Sequence, residues 1–112
     1  MTDTTSGKRR IFLVDDHPLV CEGLTNMINR QKDMVVCGEA GSAPEALQAI
    51  EATRPDAALV DLTLSSGSGL QLIKDLRACC PETVLVVLSM HDETTYAERA
   101  LRAGARGYVT KR

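Results

Sequence analysis

The chain has 112 residues, 44% of them hydrophobic but only 3% aromatic, so one domain must fill its core with aliphatic residues and alanine. A formal net charge of −2 argues against a basic nucleic-acid-binding face. No apolar stretch approaches the length of a membrane span.

Residues 1–8 read as a disordered leader. They lack the apolar core of a signal peptide, and the cytoplasm is the expected compartment. Residues 10–14, "RIFLV", form a first strand. A helix follows over 18–31, opened by Pro18 in its first turn. Val20, Leu24, Met27 and Ile28 fall on one helical face, which should be the buried one. "MVVCGEA" (34–40) is a second strand, and Ser42 with Glu45 has the spacing of a capping box for the next helix. "AALVD" (57–61) is a third strand, "SSGSG" (65–69) a loop, and 70–80 a helix closed by Pro81. "TVLVVLS" (83–89) is a fourth strand. Asp92 is placed to cap a helix over 93–104 that Gly104 ends, and "GYVTK" (107–111) is the fifth strand.

The order is βαβαβαβαβ. Near-continuous apolar strands are buried on both faces, which implies a parallel sheet between helix layers. Right-handed crossovers then give a doubly wound α/β sandwich. The fifth strand has no helix after it, so one flank should be poorly covered and the natural chain is expected to continue past Arg112. The four cysteines, Cys21, Cys37, Cys79 and Cys80, match no zinc spacing and read as free thiols packed like small hydrophobes.

Ligands of such sheets bind beyond the carboxyl ends of the strands. There the sequence places Asp15 and Asp16 after strand one, Asp61 after strand three, Ser89 after strand four and Lys111 after strand five. Two unit charges ~4 Å apart cost about 4 kcal/mol at an effective dielectric near 20, so adjacent carboxylates need a cation or a proton. Lys111 is one cation, and a hard divalent ion held through oxygens is another. Alone, each Asp could be a turn former or helix cap; convergence at several strand ends favours a site. His17 reads as a solvated loop residue beside it, and His91 as a loop residue near Ser89.

The pair "DD" at 15–16, Asp61 with Gly69 eight residues later, Ser89 and "GYVTK" ending in Lys111 resemble the receiver domain of two-component response regulators over residues 9–112. The resemblance implies a flavodoxin-like five-stranded sheet of order 2-1-3-4-5, here without its last helix. It implies a signalling domain rather than an enzyme, catalysing at most its own phosphotransfer and slow dephosphorylation. Asp61 would accept a phosphoryl group from a sensor histidine kinase. Asp15, Asp16 and Asp61, with the backbone carbonyl of Thr63, would hold Mg²⁺, with Mn²⁺ able to substitute. Lys111 would pair with a phosphoryl oxygen. Ser89 would hydrogen-bond the phosphoryl group, and Tyr108 would change rotamer with it.

"LSMHDE" (88–93) and "GARGYVTK" (104–111) are most similar to the NarL/FixJ-type subfamily, whose members usually carry a LuxR-type helix-turn-helix domain. DNA binding is therefore expected only through such a domain in a longer parent protein, and homodimers are a further expectation. Met90 stands where the family often has a smaller residue and should narrow access to Asp61. Three other functions fit the residues less well. A phosphohydrolase would want an acid at Thr63. A receiver used only for protein interaction would be expected to lack the acids. A flavodoxin-like cofactor binder would want a phosphate-cradling loop where "DDHPLV" stands.

Overall fold

The computed structural model describes residues 7–61, 69–89 and 94–110, with the backbone alone at Ser89, 94–97 and Thr110. The elements run β1 (Arg9–Val14), α1 (Pro18–Asn29), β2 (Met34–Ala40), α2 (Ala43–Thr53), β3 (Ala57–Asp61), α3 (Gly69–Cys79), β4 (Val84–Ser89), α4 (Thr94–Ala103) and β5 (Gly107–Thr110). The five strands make one parallel sheet in the order β2-β1-β3-β4-β5. All nine expected elements are present in the expected order.

β1 shows why the apolar runs are continuous. Ile11, Phe12, Leu13 and Val14 are all buried, and successive side chains enter opposite faces. Phe12 and Val14 join the larger core with Val60, Ile73, Leu76 and Val87; Ile11 and Leu13 join Ile28 on the other face. The β1–β2 register shifts between Ile11 and Phe12, leaving Cys37 as the extra residue of a bulge. Gly38 follows it because the backbone lies against an aromatic ring. A Cβ there would stand 2.8 Å from Phe12 Cε2.

Local signals place the helix ends. Pro18 occupies the first turn of α1, behind an extended His17. The Ser42 hydroxyl accepts the Glu45 backbone N–H at 3.3 Å, as its spacing implied. Gly104, at φ +131, receives the end of α4; its N–H reaches the Ala100 carbonyl at 3.1 Å. α1 corrects one expectation. Met27 is 60% exposed, and the buried stripe is Cys21, Leu24 and Ile28. Residues 21, 24 and 28 share a face at helical period, while residue 27 sits about 100° around from residue 28.

Val84 on β4 and Tyr108 and Val109 on β5 are exposed. Among the described residues, α1 alone packs against the face of Ile11 and Leu13.

Cys21 and Cys80 are buried and Cys37 and Cys79 half-buried, all as free thiols. Burial first, and then the Cys79 thiol 3.3 Å away, push the Cys80 thiol up from about 9 to about 11. The folded thiol keeps its proton where the unfolded one loses it, so this contribution to stability is intact below about pH 9 and lost as pH rises toward 11. Iodoacetamide at pH 8 should leave Cys80 unmodified in native protein and label it fully in denaturant. Rapid native labelling would contradict this burial.

Candidate functional site

The sheet register builds the site. Val14 pairs with Val60, so the residues that follow them, Asp15 and Asp61, come side by side at the carboxyl edge. Asp61 in turn pairs with Leu88, which places Ser89 one step beyond it on β4, opposite Thr110 of β5. Asp61 has no exposed surface and Asp15 is buried; Asp16 is partly open. Two of three carboxylates are thus withdrawn from water at the junction where the chain's crossover direction reverses, the switch point of such sheets.

Asp15 is fixed by its backbone and its own turn. Its N–H donates to the Ala40 carbonyl at 3.0 Å, and its carbonyl accepts the Cys21 thiol at 3.4 Å. Its Oδ1 accepts the His17 backbone N–H at 2.9 Å, closing an Asx turn over Asp16. That turn carries the His17 ring back over the acids. His17 Nδ1 lies 2.7 Å from Asp15 Oδ1, 3.3 Å from Asp16 Oδ1 and 3.5 Å from Asp61 Oδ2.

His17 is the exposed loop residue expected beside the site, and its contacts go further than that expectation. Its side chain is 47% exposed, yet its ring nitrogen faces all three carboxylates. The signal was present in the order Asp-x-His-Pro. A proline at the first helical position sets the preceding residue extended, and an Asx turn points residue i+2 at the first aspartate.

One ligand atom from each of Asp15, Asp16, His17 and Asp61 falls within 4.8 Å of all the others. Three anionic oxygens so close are a hard donor set. A divalent ion taking one or two carboxylates and completing its shell with water suits it, and Asp16 leaves the cluster open on one side. The structure thus brings together Asp15, Asp16 and Asp61. Tyr108 is on β5 and 42% exposed. Ser89 is placed by its backbone only. Thr63, Met90, His91, Asp92 and Lys111 lie outside the described residues.

Comparison with known proteins gives the same picture. Residues 11–112 match the response regulator receiver domain family. The chain is 38% identical over 102 residues to the DNA-binding transcriptional activator DevR/DosR of Mycobacterium tuberculosis, covering 91% of this chain and 47% of that protein. It is 35% identical to the signal receiver domain of the NarL response regulator of M. tuberculosis, with a TM-score of 0.87 over 93% of this chain and 84% of that one. A response regulator from Burkholderia pseudomallei, whose structure holds a phosphorylated aspartic acid, a calcium ion and citrate, is 28% identical with a TM-score of 0.84 over 93% of this chain and 60% of that one. The chain spans about half the length of the curated relatives it matches. Among the described residues no helix is long and apolar enough to cross a membrane. A family match across residues 11–112, a receiver domain of the NarL response regulator at 35% identity and the sheet order leave one assignment: the chain belongs to the response regulator receiver domain family.

Proposed function

We propose that this domain is a phosphorylation switch in which Asp61 accepts a phosphoryl group from a phosphohistidine of a sensor histidine kinase. One observation carries the proposal: a fully buried carboxylate at a strand tip, with two further carboxylates from the neighbouring strand within ligand distance of a common point. Burial without a local apolar reason marks a carboxylate kept for chemistry rather than for folding.

An Asp61 carboxylate oxygen forms the new bond to phosphorus as the bond from phosphorus to the donor's imidazole nitrogen breaks, and that nitrogen keeps the electron pair. Asp15 and Asp16, with Asp61 and the Thr63 carbonyl, are proposed to hold Mg²⁺ or Mn²⁺. When bound, the ion supplies charge neutralisation for the phosphoryl oxygens. The β1–β3 register holds Asp15 beside Asp61, and the Asx turn fixes Asp15 in rotamer. Lys111 is proposed to pair with a phosphoryl oxygen, and Ser89 and Tyr108 to report the added charge. A dianion at this edge favours whichever arrangement brings the Ser89 hydroxyl and the Lys111 ammonium closest. That difference in contact shifts the population. The bound calcium ion and phosphorylated aspartate of the B. pseudomallei regulator support the reading.

In the whole protein we propose that the switch controls a DNA-binding domain, as the DevR/DosR relative's description suggests, with the cytoplasm as its compartment and a second copy as a further partner.

Intact-mass measurement after incubation with acetyl phosphate tests this. One added phosphoryl group with Mg²⁺, and none with EDTA, is expected. A folded protein that gains no mass under either condition would instead be a phosphorylation-independent interaction module.

A further inference from the structure

We propose that Cys79 and Cys80, at the end of α3, form a dithiol site for monosubstituted trivalent arsenicals, compounds that present one soft atom with two exchangeable bonds. The site lies away from the carboxylates. The Cys80 carbonyl accepts the Thr83 N–H at 3.1 Å, and the Thr83 hydroxyl donates to the Pro55 carbonyl at 3.0 Å, just before β4 and β3 begin. That is the amino edge of the sheet, opposite the edge that holds Asp61.

The spacing of the sulfurs selects the ligand. The two Sγ atoms stand 3.3 Å apart. Two sulfurs each about 2.3 Å from one central atom lie about 3.3 Å apart at a right angle and about 3.8 Å apart at the tetrahedral angle. The pair therefore suits the near-right-angled bonds of pyramidal trivalent arsenic better than tetrahedral zinc. A direct disulfide fits worse, because neighbouring Cα atoms are about 3.8 Å apart across a trans peptide, short of the roughly 4.4–6.8 Å that disulfides span. Donor count points the same way. Among the described residues, the one group of three or more His, Cys, Asp or Glu side chains close enough to share an ion excludes both cysteines. Zinc and inorganic arsenite want a third or fourth donor, whereas an arsenic that already carries one organic group needs two.

Unequal burial sets the order of attack. Cys79 is half-buried, whereas Cys80 is 1% exposed and belongs to the core cluster of Leu76 and Leu85. The Cys79 sulfur attacks first, forming an S–As bond as one hydroxide leaves with the thiol proton as water. The arsenic then sits beside Cys80, which needs no path to solvent of its own. The Cys80 sulfur forms the second S–As bond, and its proton leaves with the second hydroxide as water. Two thiols and one R–As(OH)₂ thus give a closed arsenic dithiolate and two waters, and the arsenic stays trivalent throughout. The Arg54 guanidinium, which donates to the Cys79 carbonyl at 3.5 Å, favours the Cys80 thiolate that the second step uses.

Phenylarsine oxide on the native full chain tests this. Intact mass should show one phenylarsenic group in place of two hydrogens, and proteolysis should place it on the peptide that holds residues 79 and 80. Excess glutathione should leave it bound and a small dithiol should remove it, because the second sulfur acts at high effective concentration. Cys79→Ala and Cys80→Ala should each weaken retention by about 100-fold or more, while Cys37→Ala leaves it unchanged. Iodoacetamide, which cannot bridge two sulfurs, should under the same conditions modify Cys79 and spare Cys80. No adduct, or one heavier by a water and stripped by glutathione, would overturn the inference. So would a closed adduct that forms only in denaturant or maps to another pair of cysteines. The wild-type masses need no variant, so they decide the matter even if Cys80→Ala were poorly folded.

Discussion

Asp61→Asn should take up no phosphoryl group and, in EDTA, should unfold at a higher temperature than the wild-type chain. The first half follows from nucleophilicity. An amide oxygen carries no charge to offer phosphorus, so acetyl phosphate plus Mg²⁺ should add no mass to the variant. The second half follows from the crowd. Asp61 has no exposed surface and shares its space with Asp15 and Asp16. The His17 ring offers one donor nitrogen to three carboxylates. Repulsion between charges ~4 Å apart is worth about 4 kcal/mol at an effective dielectric near 20, and neighbouring donors offset part of it. A net gain of about 1–2 kcal/mol is expected, or roughly 5 °C in the unfolding midpoint of a domain this size. Saturating Mg²⁺ should close the gap by stabilising the wild-type fold more, because a ligand of the native state adds its binding free energy to stability. The sign is the decisive feature. A variant less stable than wild type in EDTA would mean that attraction to Asp61 outweighs repulsion, and the site would be a structural ion-pair network. A gain in stability with loss of acceptor activity is what a site kept under strain for function produces.

The same residues show how far the sequence speaks. The strands were legible because a fully buried parallel strand leaves a continuous apolar run, and "IFLV" needs no periodicity to be seen. Helix starts were legible where a side chain bonds the backbone at fixed spacing, as Ser42 does with Glu45. The strand order was not. Spacing says that Asp15, Asp61 and Ser89 end strands, but only the β1–β3 register makes Asp15 and Asp61 neighbours, and spacing does not carry a register. The exposure of Met27 and the aim of the His17 ring leave no such mark, because both depend on angle: a rotation of one residue around α1, and the return of an Asx turn. Gly38 has no local signal, because its reason lies on another strand, in the Phe12 ring. Long-range contacts of this kind leave no mark in a local pattern.

Leu76→Ala should cost about 3 kcal/mol of folding stability, within the usual range of about 2–5 kcal/mol for emptying a leucine site in a packed core. Leu76 has no exposed surface and sits near the C-terminal end of α3, in the cluster with Val60, Ile73, Leu85 and Val87. Those neighbours belong to β3, β4 and α3 itself. The backbone of two central strands cannot move inward without disturbing five paired strands, so the cavity should stay open rather than collapse. A loss of about 3 kcal/mol is a large share of the roughly 5–15 kcal/mol that holds a domain together, and the variant should unfold at clearly lower urea. Leu19→Ala is the matched comparison, because Leu19 is 82% exposed on α1. It should change stability by less than about 0.5 kcal/mol. α3 begins at Gly69, eight residues after Asp61, so its seating also sets where the chain returns from the acceptor. The folded fraction of Leu76→Ala should still take one phosphoryl group with Mg²⁺, since no atom of Leu76 belongs to the carboxylate cluster. Equal urea midpoints for the two leucine variants would show that α3 does not pack on the sheet through this residue.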